Sequence, residues 1–319
     1  MGQTVINALS SQYPTLFRGV TSTLSGSIYQ AIHRVMGFKT KTHQTDHGPI
    51  EYLTTQPSKS KETIIFFHGF ADSKHSFYGA SLNLFRNYQI IIPDLPGFGK
   101  SFKQQSLTYD IESYCQWMVD WLKSLNIDKA HIVGNSLGGG IAISIAHMVP
   151  ELVKSLTTIN PAGVPLPGYP SLYQELFEGK NIWVMENRKE FDSFIERAFY
   201  KKVFIPWAIR EKTFFEFLDN KTWYQKLISD LTTHVNDLKD PELHEKSLAA
   251  KLADIATKTL IIWGTEDTFF PYQTAFFMKE RLQSADIKFF KSVGHSPQIE
   301  TPIKFSKLLK KFVQSTADA

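Results

Sequence analysis

The stretch His131-Ile-Val-Gly-Asn-Ser-Leu-Gly-Gly-Gly-Ile141 decides how the rest of the sequence is interpreted. Its apolar start predicts a short buried strand, and its apolar end predicts a helix. Between them a single serine, Ser136, is surrounded by glycines at positions 134, 138, 139 and 140. Glycine is unfavourable inside strands and helices, so this concentration indicates a turn in which side chains do not fit. Gly134-Asn-Ser-Leu-Gly138 matches G-x-S-x-G, the pattern of a nucleophile at a sharp strand-to-helix turn.

This stretch also has plainer interpretations. One is a glycine-rich turn with an incidental serine. Another is a phosphate-binding loop, but neither GxxxxGK[ST] nor GxGxxG occurs here. The segment Asp94-Leu-Pro-Gly-Phe-Gly-Lys-Ser101 ends like such a loop, yet Asp94 stands where the first glycine is required, so we interpret it as a structural turn. The predicted strand before Ser136 and the predicted helix after it favour the nucleophile.

The surrounding sequence alternates between short apolar runs and helical patterns. The runs are continuous in apolar residues, as in strands buried on both faces of a parallel sheet; they are 63–67, 89–93, 130–134, 155–159 and 259–263. The main helical patterns are 109–125, 137–148, 272–282 and 303–313. Two short strands between residues 41 and 54 are predicted to form a hairpin at Asp46-His47-Gly48. We expect an α/β fold with a mostly parallel central sheet flanked by helices.

The alternation is interrupted by one stretch that contains no strand run. It covers residues 162–252 and carries many aromatic side chains at helical spacing, which predicts an inserted helical cap or lid. We therefore expect an α/β core formed by residues 42–161 and 253–319, preceded by a helical segment of residues 1–41. The aromatic residues form either the core of the cap or the apolar wall of a ligand cavity.

The N-terminal segment is basic and contains no acidic residue before Asp46. Leu24, Ile28, Ile32 and Val35 recur at helical spacing, so the segment is either an amphipathic helix on a bilayer surface or a helix packed on its own domain. No apolar run approaches the roughly 20 residues of a membrane span, and no signal-peptide pattern is found. We expect a cytoplasmic or peripherally membrane-associated protein.

Charge and cysteine content exclude other classes. The net charge of +4 is small and scattered, which argues against nucleic acid as a partner. Cys115 is the single cysteine, so the chain has no internal disulfide, and we expect it to be a buried apolar residue. Neither an HExxH motif nor a Cys/His cluster suggests a metal, and we expect no cofactor.

A serine nucleophile needs a base and a group that orients the base. In this architecture the chain order is serine, carboxylate, histidine. Glu266 and Asp267 follow the strand 259–263, and His295 follows the next strand on a glycine-marked loop. We choose Asp267 because a short side chain at that position can reach back, and Glu266 remains the alternative. His131, His147, His234 and His244 are weaker candidates for the base.

The developing negative charge needs two backbone N–H donors. We expect one from Leu137, after the nucleophile, and one from Phe70, in the loop that follows the strand 63–67. His68 is expected to shape this loop together with Gly69 by hydrogen bonding, or else to be incidental. Two further glycines, at positions 134 and 138, are expected to let backbone segments approach closely around the serine.

With these residues assigned, the chain resembles the α/β-hydrolase superfamily from about residue 42 to the end. The matching motifs are His68-Gly-Phe70, Pro93–Ser101, Gly134–Gly139, Trp263–Asp267 and Gly294-His295. More narrowly, Asn160–Val164 and Phe204–Pro206 are similar to capped bacterial lipases and monoacylglycerol-lipase-like serine hydrolases. The resemblance implies hydrolysis of medium or long acyl esters of small molecules or lipids. It also implies that Ser136, Asp267 and His295 form a catalytic triad and that Phe70 and Leu137 form the oxyanion hole.

Two other functions remain open. Gly-Asn-Ser also occurs in related hydrolases that cleave a carbon–carbon bond in dienoic acids derived from aromatic rings. A catalytically silent hydrolase fold that acts as a binding protein is the third alternative. Such chains typically lose a member of the triad, whereas all three predicted members are present here.

Overall fold

Eight strands form one sheet in the order β1-β2-β4-β3-β5-β6-β7-β8. The structure is a computed structural model that describes residues 14–56, 62–166, 168–169, 171–233 and 248–316. The strands are β1 (Lys39–Thr45), β2 (Gly48–Thr54), β3 (Thr63–Phe67), β4 (Gln89–Pro93), β5 (Ala130–Asn135), β6 (Val153–Ile159), β7 (Thr259–Gly264) and β8 (Ala285–Phe290).

The sheet is parallel except at one edge. β1 and β2 form the predicted antiparallel hairpin, and β2 pairs antiparallel with β4. All other neighbours pair in parallel. The prediction of a mostly parallel α/β sheet is therefore confirmed. The carboxyl ends of the parallel strands meet at one edge, where ligands gather in such sheets.

The apolar runs follow from burial of the sheet on both faces. In β3, Ile64 and Phe66 pack into one hydrophobic cluster, whereas Ile65 and Phe67 pack into the other. Every residue of β3, β5 and β7 is buried. A strand in this position has no solvent face, so its sequence shows no polar alternation.

Helices cover both faces of the sheet. Outside the segment between β6 and β7 they are α1 (Pro14–Met36), α2 (Ile111–Ser124), α3 (Leu137–Met148), α9 (Thr274–Arg281), α10 (Pro297–Glu300) and α11 (Pro302–Gln314). Helices α2, α3 and α9 contribute to one cluster; α11 and the end of α1 contribute to the other. Cys115 of α2 is fully buried, as expected.

The segment between β6 and β7 contains only helices among its described residues. They are α4 (Leu172–Phe177), α5 (Arg188–Ala198), α6 (Trp207–Asp219), α7 (Lys221–Leu231) and α8 (Leu248–Lys251). Part of the stretch that we predicted as the cap, including His234 and His244, lies outside the described residues. Many of its aromatic side chains pack on one another, as Phe191 does with Phe214 and Phe217.

The N-terminal segment differs in extent from the prediction. Residues 1–13 lie outside the described part, α1 ends at Met36, and the sheet begins at Lys39 rather than at residue 42. Gly37, with a φ of +70°, follows the helix and reverses the chain before β1. None of the described helices combines the length and the apolar character that a membrane crossing requires.

Candidate active site

Ser136 lies at a sharp turn between β5 and α3. Its backbone has φ +54° and ψ −119°, a strained combination for a residue with a side chain. The turn is held by hydrogen bonds: Ser136 N donates to Ile159 O at 3.0 Å, and Ala162 N donates to Ser136 O at 2.9 Å. Packing of the neighbouring strand end therefore stabilises the strained residue, which presents its side chain at the carboxyl edge of the sheet.

The glycines around Ser136 are required by close backbone contacts. A Cβ on Gly134 would lie 2.0 Å from the carbonyl oxygen of Gly138. A Cβ on Gly138 would lie 2.2 Å from the carbonyl oxygen of Phe67 in β3. Both distances are shorter than any contact that a Cβ can make, so neither position accepts a side chain. The start of α3 is thereby pressed against β5 and the end of β3.

His295 and Asp267 are joined by a hydrogen bond. The Nδ1 atom of His295 lies 2.9 Å from Oδ2 of Asp267. Because Nδ1 is engaged by the carboxylate, Nε2 is the ring nitrogen that remains for a substrate or for Ser136. His295 and Ser136 line the same cavity, and the imidazole is flanked by Phe269, whose ring centroid is 4.8 Å away.

The structure brings Asp267, and not Glu266, to the histidine. The Asp267 side chain is fully buried, and its Oδ1 accepts hydrogen bonds from the backbone N–H groups of Phe269 and Phe270 at 2.8 and 3.3 Å. Glu266 is exposed, and its carboxylate accepts a hydrogen bond from the Thr265 hydroxyl. Both carboxylate oxygens of Asp267 are therefore hydrogen-bonded, which fixes the orientation of Oδ2 toward the imidazole ring.

Sequence analysis missed the support that Asn160 gives to Asp267. Asn160 Nδ2 donates to Oδ2 of Asp267 at 2.6 Å, and Asn160 Oδ1 accepts from Gly264 N at 3.3 Å. Asn160 has a φ of +43°, a conformation that asparagine tolerates better than most residues. An asparagine directly after a predicted strand at this edge was the available signal.

A second missed residue, Asn135, links the nucleophile turn to the histidine loop. Its Nδ2 donates to the carbonyl oxygens of Ile159 and His295, at 3.1 and 3.2 Å. Its Oδ1 accepts from Gln298 Nε2 at 3.1 Å. All three bonds are buried, so the backbone of His295 is fixed relative to the residue that precedes Ser136.

The two predicted oxyanion donors lie beside the serine. Leu137 is the first residue of α3, where backbone N–H groups have no acceptor within the helix. Gly69 approaches Ser136 so closely that an added Cβ would lie 3.2 Å from Ser136 Cβ. Phe70 follows Gly69 directly, and its side chain is buried against Trp183 of the helical segment.

His68 is engaged by backbone groups at both ring nitrogens. Leu95 N donates to Nε2 at 2.9 Å, and Nδ1 lies 2.7 Å from the carbonyl oxygen of Gly69. Because Nε2 accepts a hydrogen bond, the proton of the neutral ring is on Nδ1, which donates to Gly69. With both nitrogens bonded to the backbone, His68 fixes the loop that carries Phe70.

The segment that ends in Gly-Lys-Ser is a turn organised by Asp94. This buried carboxylate accepts hydrogen bonds from Lys74 N and Lys100 N, both at 2.9 Å, and forms an ion pair with Lys74 Nζ. A Cβ on Gly99 would lie 2.2 Å from the carboxyl carbon. Burial opposes ionisation, but the charge and hydrogen bonds of Lys74 together with His68 outweigh it and lower the pKa of Asp94 below its ordinary value.

The last residues of α5 are hydrogen-bonded to the two loops that carry the predicted acid and base. His295 N donates to Ala198 O at 3.1 Å. The Thr268 hydroxyl donates to Arg197 O at 3.1 Å, next to Asp267 in the chain. The helical segment is therefore fastened to the loops that carry the predicted acid and base.

A cavity of about 410 Å³ contains Ser136 and His295 in its wall. The helical segment contributes an apolar wall that includes Trp183, Phe194, Ile195, Phe199, Ile209 and Phe217. Helix α1 contributes Ile28, Tyr29 and Ile32. Among the described residues, no lysine or arginine lines this cavity, and no cluster of three or more potential metal ligands occurs. Such a volume suits a small organic or lipid ligand.

The weaker histidine candidates lie away from this cavity where they are described. His131 is buried in β5 with Nδ1 2.8 Å from the Ser155 hydroxyl, and burial lowers its pKa to about 4. His147 lies at the end of α3 remote from Ser136, within 3.7 Å of an Asp254 carboxylate oxygen.

Comparison with known proteins agrees with this geometry. Residues 62–302 match a family model described as the alpha/beta hydrolase fold. Lipase 1 of Psychrobacter immobilis is 27% identical over 240 residues, which cover 75% of this chain and 73% of the relative. The 2-hydroxymuconate semialdehyde hydrolase of Pseudomonas sp. (strain CF600) is 26% identical over 245 residues, 74% of this chain and 80% of the relative.

Among solved structures, a protein described as a putative lipase from Acinetobacter baumannii AYE is similar over 92% of this chain and 96% of its own. The two share 25% identity and superpose with a TM-score of 0.84. Because the family model spans more than half of the sequence, and because the sheet and nucleophile turn described above have the form expected of it, this chain belongs to the α/β-hydrolase family.

Proposed function

We propose that this protein is a serine hydrolase that cleaves carboxylic esters of medium or long acyl chains. Ser136 attacks the ester carbonyl, and His295 accepts its proton and later protonates the departing alcohol. Asp267 orients the imidazole, and the N–H groups of Phe70 and Leu137 bind the oxyanion. Water then releases the acid from the acyl-enzyme by the same proton transfers.

One observation carries this proposal: His295, whose Nδ1 is hydrogen-bonded to the buried Asp267 side chain, lines the cavity that also contains the strained Ser136. This pairing leaves Nε2 as the base nitrogen. The apolar side chains that α5, α6 and the preceding loops contribute to the cavity fit an acyl chain, and the relatives named lipases are consistent with such a substrate.

The decisive test is the Ser136→Ala variant. It should keep the thermal stability of the wild type and lose turnover of p-nitrophenyl esters, and a fluorophosphonate probe should label only the wild type, at Ser136. A chain-length series of p-nitrophenyl and monoacylglycerol esters then separates an esterase from a lipase. If wild-type protein neither reacts with the probe nor hydrolyses any ester of the series, the proposal is wrong.

The Gly-Asn-Ser sequence and the semialdehyde hydrolase relative favour carbon–carbon bond hydrolysis as a second candidate. Its substrates are dienoic acids, whose carboxylate needs a cation or several N–H donors. The described lining offers no lysine or arginine, and it includes the carboxylate of Asp72. Ester hydrolysis therefore fits the cavity better, and parallel assays with an ester and a dienoic ring-cleavage product compare the two directly.

We further propose that the protein contacts the surface of an anionic lipid bilayer through α1 and the cavity rim. Helix α1 is inverted relative to an ordinary surface helix: Thr21 and Ser25 are buried, whereas Leu16, Val20, Leu24 and Val35 are between 41% and 82% exposed. The buried hydroxyls of Thr21 and Ser25 donate hydrogen bonds to carbonyl oxygens of their own helix, so neither needs water as a partner.

The exposed apolar residues continue beyond α1 around the mouth of the cavity. Phe204 is 88% exposed and lines the cavity, and Leu24 shares a groove with Trp207. We call Leu16, Val20, Leu24, Val35, Phe204, Trp207 and Ile303 the apolar rim. Exposed basic residues accompany it at positions 34, 201, 202 and 304. Apolar contact together with positive charge is the combination that binds anionic bilayers.

Vesicle co-sedimentation of the Ser136→Ala protein tests this contact without lipid hydrolysis. Binding to phosphatidylcholine vesicles that contain phosphatidylglycerol should exceed binding to phosphatidylcholine alone. Combining Val20→Ser, Leu24→Ser and Phe204→Ser should weaken binding by at least about tenfold, because several apolar side chains no longer enter the bilayer. Met148→Ser, an exposed apolar residue at the far end of α3, is the matched control. Equal binding of all variants would contradict the proposal.

A further inference from the structure

One wall of the cavity is polar, in contrast to the apolar wall that the helical segment contributes. The polar wall is formed by the loop that follows Phe70 and by Tyr29 of α1, whereas Ile28 and Ile32 of the same helix are apolar. Asp72, Ser73, His75 and Ser76 of the loop line the cavity together with Tyr29 of α1. None of these residues has a role in the reaction proposed above, so their position in the same cavity as Ser136 needs a separate explanation.

Asp72 is the only acidic residue of the described lining. Its Oδ1 accepts a hydrogen bond from Ser73 N at 2.7 Å, and it forms no ion pair with any residue that the structure describes. Burial raises the pKa of this carboxyl, although His68, Ser73 N and the Ser76 hydroxyl act in the opposite direction. A carboxyl group in such a place is stabilised by hydrogen-bond donors from a ligand.

His75 adds a neutral hydrogen-bonding group to the same wall. Its ring stacks on Tyr29 with centroids 3.7 Å apart and planes within 4° of each other. Burial and the nearby Lys74 lower the pKa of His75 to about 3, so the ring is uncharged at neutral pH. Nδ1 lies 3.2 Å from the Ser73 hydroxyl, which leaves Nε2 as the second polar atom of the ring.

The polar wall is close to the reacting atoms. Gly69 lies beside Ser136, and Asp72 is three residues farther along the chain, so the Cα atoms of Gly69 and Asp72 are separated by at most about 11 Å. An ester bound with its carbonyl at Ser136 and its acyl chain against the apolar wall has its alcohol part left for the remaining wall. The alcohol part of a three-carbon polyol ester extends several ångströms from the reacting carbon, toward a wall at this range.

We propose that the loop 71–76 and Tyr29 form a subsite for a hydroxylated alcohol group, such as the glycerol of a monoacylglycerol, and that Asp72 determines this preference. The inference rests on the proposed ester hydrolysis and specifies its substrate class. The wall offers a carboxyl group, hydroxyls and a neutral imidazole, which can exchange hydrogen bonds with hydroxyl groups. Among the described residues that line the cavity there is no lysine or arginine to bind a phosphate or a carboxylate.

The test compares three esters of one fatty acid: 1-decanoylglycerol, propyl decanoate and decanoylcholine. For the wild type, kcat/KM for the glycerol ester should exceed that for the propyl ester. Asp72→Leu, of similar size but apolar, should lower the glycerol-to-propyl ratio by about tenfold, as expected when a ligand loses hydrogen bonds to a buried site. Asp72→Asn keeps an acceptor for Ser73 N and can still bond hydroxyls, so it should retain most of the ratio.

Other outcomes overturn the subsite. If Asp72→Leu lowers both kcat/KM values equally, Asp72 serves only the loop structure. If decanoylcholine is the preferred ester and Asp72→Asn removes that preference, the wall binds a cation and not a polyol. A wild type without preference among the three esters also contradicts the subsite, while its ester turnover and fluorophosphonate labelling would leave the proposed hydrolysis intact. Thermal melting of each variant verifies folding.

Discussion

The two halves of the cavity wall are built in different ways. In the half formed by the carboxyl edge of the sheet, Ser136 and His295 line the cavity. The polar side chains that support them, Asp267, Asn160 and Asn135, are buried and hydrogen-bonded to protein atoms. In the half formed by α1 and the helical segment, the lining is largely apolar, and Phe204 remains 88% exposed. The first half fixes a geometry by internal contacts, whereas the second presents a surface to which something else can bind.

The two halves should respond differently to substitution. A substitution in the sheet half leaves a buried polar group without its hydrogen-bond partner. The free-energy cost of such an unpaired group exceeds the net contribution of an average hydrogen bond. A change at an almost fully exposed side chain such as Phe204 removes little internal packing, so its effect should be largely confined to binding.

Asp267→Asn should reduce kcat about a thousandfold to ten-thousandfold, because an amide cannot hold the imidazole in the required tautomer. KM should change little. The adjacent Glu266→Gln is the matched control and should retain wild-type activity, since Glu266 is exposed and contacts Thr265. Steady-state kinetics with a p-nitrophenyl ester measures both, and a large loss in the glutamate variant would reverse the assignment of the acid.

Asp94→Asn should lower the free energy of unfolding by about 3 kcal/mol, because Lys74 loses a buried charged partner. The folded pKa of Asp94 is below its ordinary value of 3.8. Its contribution to stability is therefore complete above pH ~4 and is lost as the pH falls through the folded pKa. Urea unfolding of both proteins at pH 7 and pH 3 should show a smaller difference at the lower pH. An equal difference at both values would contradict the ion pair.

Asn160→Ala should reduce kcat about tenfold with little change in KM, because Asp267 loses one hydrogen-bond donor while keeping those from Phe269 and Phe270. Asn160→Asp should be more damaging, since it places a second carboxylate beside Asp267. Kinetics with a soluble ester gives the ranking. If both variants behave as the wild type, the support that Asn160 gives to Asp267 has no catalytic consequence.

Phe204→Ser should change the free energy of unfolding by less than about 0.5 kcal/mol, because the side chain is almost fully exposed. Turnover of a short soluble ester should stay within about twofold of the wild type. Thermal melting and ester kinetics provide the measurements, and they should contrast with the losses in the sheet half. Marked destabilisation would mean that the helical surface is internally packed and that the two halves do not differ as described.

Sequence patterns predicted most of the sheet because its central strands are buried on both faces. Each of these strands therefore appears in the sequence as a continuous apolar run. β8 was harder, since it lies at the edge and alternates between exposed and less exposed residues, as in Asp286 and Ile287. The extent of α1 also differed from the prediction. Its buried face carries Thr21 and Ser25, and this inversion of the apolar pattern depends on contacts with α6 that periodicity does not contain.

The predicted site residues were those that belong to local motifs. Ser136 and its glycines are recognisable because a single turn imposes them, and the acid and histidine follow strands at one edge. Asn135 and Asn160 were missed as supporting residues because their partners are distant in the chain. Asp72 was missed because only the folded chain places its loop against α1 in the cavity.

If Ser136 is the nucleophile as proposed, the bonds from the end of α5 to the loops of the predicted acid and base restrict how a substrate can enter the cavity. Ala198 O accepts a hydrogen bond from His295 N, and Arg197 O accepts one from the Thr268 hydroxyl. These two bonds fix the end of α5 relative to both loops. A rigid-body movement of the whole helical segment would therefore displace His295 relative to Asp267. We therefore expect an acyl chain to enter when the loop of residues 203–206 rearranges. Such a local movement leaves the hydrogen bond between His295 and Asp267 unchanged.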